Sequence, residues 1–373
     1  MGKKTIAAIL KEYSLKTLEG ANLKGADLKG ADLSEANLTK ADLTNADLRG
    51  ANISGALLGY ANLSKAVLNN ADIKYTYLNN TDLRGANFGG ADLYATRLVS
   101  ADFEGANLEG ANLTNADLRD ANFGGANLSK ANFTEANLYG AKLSGALNIR
   151  EVDFTRAKLT YAKLTNADLG GAILKEANLD QSHLEGANLG AANLEEAILK
   201  NANLMGANLG VANLKGADLQ KANLTNATFV KAYLINADLR DSNLTKANLT
   251  KANLESANLT RAKLEGANLE GANLTNADLG AAKLYEANLR EANLTKAYVI
   301  IADLEEANLE GANLTNADLR QANLMGANLR GAILKDADFS KAKLRYADLY
   351  GAKLSGANFS GVNLRYTYNI SQD

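Results

Sequence analysis

The stretch "ANLKGADLKGADLSEANLTKADL", residues Ala21 to Leu43, repeats one five-residue pattern without interruption. An apolar residue stands at every fifth position from Leu18 to Leu143 and again from Phe154 to Leu364, which makes 69 units. Ala stands two places before it in 61 of the 69 units, so the unit reads A-(N/D)-L-x-x. A tandem repeat of this extent predicts a solenoid rather than a set of separate globular domains.

A five-residue period matches neither the 3.6 residues of a helical turn nor the alternation of a long strand. It fits a very short extended segment that turns a corner and starts again. Pleating within A-(N/D)-L points Ala and Leu inward and Asn or Asp outward. The last two positions form the corner, where Gly supplies positive φ and Asn or Asp tolerates it.

The spacing of phenylalanines predicts how many units make one turn. All eight Phe residues occupy the apolar position, and stacked aromatic rings pack well in a narrow core. Phe103 and Phe123 are 20 residues apart, and Phe133 and Phe154 are 21 apart. The pairs favour four units per turn, with one additional residue inserted between Phe133 and Phe154.

With this motif the chain resembles the pentapeptide repeat protein family over residues 18–364. The resemblance implies an all-β fold, a right-handed four-sided β-helix. At four units per turn, 69 units give about 17 coils. Leu and Ala fill the axis, so no internal ligand cavity is expected.

The predicted division of the chain follows the repeat. Residues 1–17 form an N-terminal cap and entry, residues 18–364 a single β-helix, and residues 365–373 a C-terminal tail. The stretch "ALNIREVDF", residues 146–154, breaks the count by one. We interpret residues 146–153 as a one-residue bulge in which a residue beside Asn148 turns inward, although a recognition role for this stretch stays open.

The two ends of a solenoid expose an apolar cross-section, which favours caps. Residues 3–14 show apolar side chains at helical spacing and predict an amphipathic helix that covers the first coil. At the other end Tyr366, Tyr368 and Ile370 either fold over the last coil or meet another molecule. We therefore expect a monomer or a weak end-to-end dimer through the C-terminal coil.

Composition argues against several function classes. The 373 residues include no Cys, Pro or Trp, and 40 basic against 42 acidic side chains give a net charge of -2. This balance gives no sign of a nucleic-acid partner. No apolar run is long enough to span a bilayer and residues 1–20 lack a signal-peptide core, so no membrane association and a cytoplasmic location are expected.

No residue pattern predicts catalysis, a cofactor or a metal. His183 is the single histidine and stands at an outward position, without a cleft or a predicted nucleophile beside it. Without Cys or a second His, a metal site lacks ligands. Glu265, Glu286, Glu305 and Glu306 recur along one side, and we interpret them as solvated surface. The chain is expected not to be an enzyme.

Two groups of residues break the polar rule of the outward positions. The first surface unites exposed apolar and aromatic residues with an arginine, as a protein-binding patch requires; decay of the repeat is the alternative. The second surface is smaller. The first surface comprises Leu57, Tyr60, Tyr75, Tyr77, Tyr94, Arg97 and Val99, and the second Tyr298, Ile300 and Ile301.

The sequence therefore favours a non-enzymatic, rigid β-solenoid that acts as an interaction scaffold or binding module for another protein. The alternative is a DNA-mimicking inhibitor or protector of a type II topoisomerase (gyrase), as the family resemblance includes the quinolone-resistance proteins. Such a mimic needs a dense acidic surface. The side richest in Asp carries six carboxylates against five basic residues between Asp218 and Lys341, which is too neutral for that role.

Overall fold

The computed structural model describes residues 17–367. The chain divides into two compact units, Met1–His183 and Leu184–Asp373. The helix predicted over residues 3–14 lies outside the described residues, as do Tyr368 and Ile370. The right hand of the coil and a single β-helix over residues 18–364 stay predictions.

In both units the backbone forms a parallel β-bridge every five residues, and nearly every bridge joins residues twenty apart. The bridging residues run in steps of five from Thr17 to Leu147 and from Asp153 to Asn358. Each extended segment is a single bridging residue, and residues 17–367 contain neither a helix nor a longer strand. Four bridges and four corners therefore make one coil, as the phenylalanine spacing predicts.

The coils are joined by a regular ladder of backbone hydrogen bonds. The N–H of Asn62 donates to the carbonyl of Ala41 at 2.9 Å, and the carbonyl of Asn62 accepts from the N–H of Leu43 at 2.7 Å. Within the corner, the N–H of Ala46 donates to the carbonyl of Leu43 at 2.9 Å. The backbone of each unit is thus satisfied without long strands.

Ala and the central apolar residue fill the inside of each unit. Leu43, Ala46 and Phe123 are completely buried. The rings of Phe103 and Phe123 stack with centroids 5.0 Å apart, and those of Phe133 and Phe154 stack at 5.1 Å. Ring stacking across 20 residues, and across 21 where the additional residue lies, confirms four repeats per coil.

The outward Asn or Asp also shapes the corner. The Oδ1 atom of Asp42 accepts from the backbone N–H of Thr44 at 3.0 Å, which closes a local turn. The second corner residue has left-handed backbone angles throughout, for example φ 55° at Asn45. Gly is the commonest residue at this position because it adopts that region without strain, and Asn tolerates it better than most residues do.

The bulge lies at Asn148. Leu147 forms the bridge to Asn127, and the next bridge joins Asn132 to Asp153, 21 residues on. Ile149 is buried, whereas Leu147 and Asn148 are exposed. The additional residue is therefore accommodated outside, and an apolar side chain takes the central position.

Candidate functional site

The single histidine lies on an open face of the first unit. His183 is exposed, and its backbone N–H donates to the carbonyl of Ala162 at 3.0 Å. In residues 17–367 no group of three His, Cys, Asp or Glu side chains is placed to hold a metal ion. The same range holds no helix long and apolar enough to cross a membrane.

The first surface is built on three consecutive coils of the first unit. Parallel bridges place Leu57 beside Tyr77 and Tyr77 beside Arg97, so the three side chains form one column. The guanidinium of Arg97 lies over the ring of Tyr77, 4.9 Å from its centroid. Leu57 and Tyr77 are 42% and 37% exposed, which leaves the column open to solvent.

Aromatic side chains border this column at both corners. Before it, the rings of Tyr75 and Tyr94 meet edge to face with centroids 5.7 Å apart. After it, Tyr60 is the most exposed large apolar residue of the described chain at 66%. Val99 is half-buried, and its backbone N–H donates to Oδ1 of Asn79 at 3.1 Å. All seven residues predicted from the sequence thus lie on neighbouring positions of one side.

Buried threonines stand directly behind the column. The hydroxyl of Thr76 donates to the carbonyl of Ile53 at 3.0 Å, and that of Thr96 donates to the carbonyl of Ile73 at 2.9 Å. These threonines occupy inward positions where the repeat usually places Ala. Their hydroxyls add hydrogen bonds between coils beneath Tyr77 and Arg97, which stiffens the backbone that presents them.

Arg97 differs from most arginines of the chain in its charge environment. Ten of the thirteen arginines lie within ion-pair distance of a carboxylate. Arg97, Arg345 and Arg365 have no such partner among the described residues, and each lies over a tyrosine ring. These three therefore carry uncompensated positive charge on an aromatic support. The ten paired residues are Arg49, Arg84, Arg119, Arg150, Arg156, Arg240, Arg261, Arg290, Arg320 and Arg330.

From the sequence we singled out Tyr366 but missed the two arginines that surround it, Arg345 and Arg365. The sequence feature that indicates this cluster is an Arg-Tyr pair that recurs after one coil, at residues 345–346 and 365–366. The rings of Tyr346 and Tyr366 lie 5.8 Å apart, and both are exposed. The two arginines could not be predicted, because the sequence does not show which arginines of the repeat have a carboxylate partner.

The second surface lies in the second unit and is less compact. Tyr298 bridges Asp278 and Asp318 and is 55% exposed, while Ile300 is half-buried at the following corner. Ile301 is 58% exposed and has φ 60°, a region that β-branched residues rarely adopt. Tyr233 bridges Asn213 and Asn253 and belongs to the neighbouring side, so it does not extend this surface.

Four of the six carboxylates of the Asp-rich side form ion pairs in the structure. The guanidinium of Arg240 lies 2.6 Å from Asp238, and that of Arg320 lies 2.7 Å from Asp318. Burial raises the pKa of Asp238, but hydrogen bonds and the charge of Arg240 outweigh it, so the pKa lies below its ordinary value. A hydrogen bond from Arg320 likewise lowers the pKa of Asp318. Paired carboxylates of this kind imitate a nucleic-acid backbone poorly. Two further pairs join Arg261 to Asp241 and Lys200 to Asp218.

The twenty-residue coils and the Ala and Leu cores together define a β-solenoid. The chain belongs to the pentapeptide repeat family. The sequence model of that family, described as pentapeptide repeats, matches in successive segments from residues 17–55 to residues 332–367. No curated protein matches the chain.

Several solved structures of the family are similar. HetL, a pentapeptide repeat protein involved in heterocyst differentiation regulation from the cyanobacterium Nostoc sp. strain PCC 7120, is 38% identical, over 57% of this chain and 89% of HetL, with a TM-score of 0.27. QnrB1, a plasmid-mediated fluoroquinolone resistance protein, is 19% identical, over 50% of this chain and 90% of QnrB1, with a TM-score of 0.30. Rfr23 from the cyanobacterium Cyanothece 51142 is 40% identical, over 28% of this chain and 58% of Rfr23, with a TM-score of 0.15.

Proposed function

We propose that this chain is a non-enzymatic binding module whose first surface binds another protein. The observation that carries the proposal is the position of Arg97, which lies over the exposed ring of Tyr77 without a carboxylate partner among residues 17–367. Tyr and Arg are the side chains most enriched at binding hot spots. Leu57 and Tyr75 add apolar area beside them.

The partner that fits this surface is a protein segment with an apolar side chain and a carboxylate. The apolar group would pack against Leu57 and the ring of Tyr77, while the carboxylate would form a charge-assisted hydrogen bond with Arg97. The tyrosine ring beneath the guanidinium holds the charge in place. Because Arg97 donates beside the apolar surface of Tyr77 and Leu57, a segment that also offers an apolar group should bind better than a free anion.

Rigidity of the backbone supports a binding role. The N–H groups of Tyr77 and Arg97 donate to carbonyls of the preceding coil, each at 2.9 Å. A surface ordered before binding loses little conformational entropy when a partner docks, which leaves more of the contact energy as affinity. Support for a non-enzymatic role comes from the buried Ala and Leu side chains that fill the inward positions.

Affinity capture from cell extract tests the proposal. The bait proteins are the natural chain, the variant Tyr77→Ala/Arg97→Ala and the control Tyr233→Ala, which removes a similarly placed tyrosine at 51% exposure in the second unit. We expect a protein that binds the natural chain and the control but not the double variant. An identical capture profile for all three baits would remove the first surface as a binding site.

The charge of the surface argues against a DNA-mimicking inhibitor or protector of a type II topoisomerase. Four of the six carboxylates of the Asp-rich side form ion pairs, so only Asp278 and Asp338 lack one among the described residues. A supercoiling assay with purified gyrase checks this conclusion directly. Neither inhibition nor protection is expected at micromolar protein.

A further inference from the structure

One corner of the second unit carries an ordered series of charged and aromatic side chains on five consecutive coils, here termed the corner strip. Backbone hydrogen bonds stack its members: the N–H of Glu306 donates to the carbonyl of Met325 at 2.9 Å, and the N–H of Gly326 donates to the carbonyl of Arg345 at 3.0 Å. The corner strip comprises residues 285–286, 305–306, 325–326, 345–346 and 365–366.

The first two levels of the corner strip are acidic. Glu286, Glu305 and Glu306 have no basic side chain within ion-pair distance among the described residues. A hydrogen bond with Glu286, together with the charges of Glu306 and Glu305, raises the pKa of Tyr285 to about 12. This end of the strip thus presents concentrated negative charge beside an exposed tyrosine.

The last two levels are basic and aromatic. The guanidinium of Arg345 lies 4.6 Å from the ring centroid of Tyr346 and 5.3 Å from that of Tyr366. Arg345 also donates from Nη2 to the hydroxyl of Tyr346 at 2.7 Å, and Arg365 lies 5.1 Å from the ring of Tyr366. No carboxylate of residues 17–367 forms an ion pair with either arginine.

The two ends are arranged symmetrically about Met325. Counting one coil from Met325 leads to Glu305 in one direction and to Arg345 in the other. Counting two coils leads to Tyr285 and Glu286 in one direction and to Arg365 and Tyr366 in the other. A two-fold axis through Met325 would therefore place every uncompensated acid of one copy opposite an arginine level of a second copy, as an isologous interface requires.

We propose that two copies of this chain associate side by side in antiparallel orientation through the corner strip. Met325 packs against its own counterpart on the axis, and Glu305 pairs with Arg345 of the other copy. At the outer levels Glu286 pairs with the counterpart of Arg365. The interface uses a surface different from the first surface, so its failure leaves the proposed function untouched.

A second copy fits better than a nucleic acid or an acidic peptide. The acidic level at Glu305 and Glu306 lies two coils, about 10 Å, from Arg345. A chain of phosphates that reached both arginines would approach those glutamates within roughly one Debye length. A second copy instead supplies acidic and basic groups in the matching order. Because five coils extend over only about 20 Å, the association should be weak and sensitive to salt.

Engineered cysteines test the geometry, since the natural chain contains none. Met325→Cys places a thiol on the proposed axis. Met205→Cys is the matched control, because Met205 occupies the equivalent corner position six coils away and is 46% exposed. Under mild oxidation we expect disulfide-linked dimers of Met325→Cys and at least tenfold less of Met205→Cys. Equal linkage of both variants, or none at residue 325, would overturn the proposal.

Charge reversal tests the pairing by sedimentation at low salt. Arg345→Glu/Arg365→Glu should weaken dimerisation at least tenfold, and Glu286→Arg/Glu305→Arg/Glu306→Arg should do the same. All five substitutions together should restore it, because every pair is again complementary. Two results would contradict the proposal: a natural chain that stays monomeric at about 100 µM, or a folded variant with all five substitutions that does not dimerise.

Discussion

The side-chain amide of Asn148 donates from Nδ2 to Oδ1 of Asn127 at 2.8 Å, although Asn148 is the residue inserted into the repeat. One coil earlier, Asn127 donates in the same way to Asn107 at 2.9 Å. Leu147 occupies the bridging position beside Asn127 and has no amide to continue this series. The inserted residue therefore extends the amide ladder, while Ile149 completes the core.

Deletion of Asn148 should leave a folded protein. It restores the five-residue count with Ile149 already at the central position, and it costs one amide hydrogen bond, about 1 kcal/mol. Deletion of Asn107 is the matched control, because it leaves a regular side one residue short and displaces Ala106 or Leu108 from the core. We expect this deletion to lower the free energy of unfolding by at least about 3 kcal/mol. Guanidinium unfolding followed by circular dichroism measures both, and equal losses would contradict the bulge interpretation.

The repeat determined more of the fold than of the surface. The spacing of Phe103 and Phe123 predicts the twenty-residue coil, because inward positions are restricted by close packing. An exposed side chain can adopt several rotamers, so the position of an arginine in the repeat does not show which group its guanidinium contacts. Arg84 reaches Asp82, whereas Arg97 lies over Tyr77. The uncompensated charge of Arg97 and the cluster at Arg345 can therefore be recognised only in the structure.

Replacing Ser182 with Ala should stabilise the protein. Ser182 is buried at a position that the repeat usually gives to Ala, and its hydroxyl has no hydrogen-bond partner in the described part of the chain. Removing an unsatisfied buried hydroxyl should raise the free energy of unfolding by about 1 kcal/mol.

Ser242→Ala is the control for Ser182→Ala, because the hydroxyl of Ser242 donates to the carbonyl of Leu239 at 2.7 Å. We expect no gain in stability from that variant. Thermal unfolding midpoints compare the two proteins, and a lower midpoint for Ser182→Ala than for the natural chain would refute the assignment.

The corner at Ile301 should be strained. Its φ of 60° is unfavourable for a β-branched side chain, so Ile301→Asn should raise the free energy of unfolding by about 1 kcal/mol. Val211→Asn, at φ 60° and outside the second surface, should give a similar gain. Chemical denaturation measures both. An Ile301→Asn variant less stable than the natural chain would show that contacts of the isoleucine outweigh the backbone strain.

Acid should weaken the fold below about pH 4. A hydrogen bond from Arg49 lowers the pKa of Asp47 from 3.8 to about 2, and one from Arg84 lowers the pKa of Asp82. A carboxylate whose pKa is lower in the folded than in the unfolded chain stabilises the fold at any pH above its unfolded pKa of 3.8. This contribution disappears as the pH falls toward 2, the pKa of Asp47 in the folded chain. The unfolding midpoint should be nearly constant from about pH 7 to pH 5 and then decrease.

Arg49→Ala and Arg84→Ala together test the cause of this decrease. Without the arginines, Asp47 and Asp82 should return toward their ordinary pKa values, and the acid-induced fall of the unfolding midpoint should become shallower. Calorimetry over the same pH range compares the variant with the natural chain. An equally steep fall in both would show that other carboxylates are responsible.

The affinity of the captured partner for the first surface tests the central claim most directly. Isothermal titration calorimetry should compare the natural chain, Tyr77→Ala/Arg97→Ala and Tyr233→Ala, after circular dichroism has shown that all three are folded. We predict a dissociation constant at least about tenfold higher for the double variant, a loss of about 1.4 kcal/mol, and no change for Tyr233→Ala. An unchanged dissociation constant for the double variant would contradict the account.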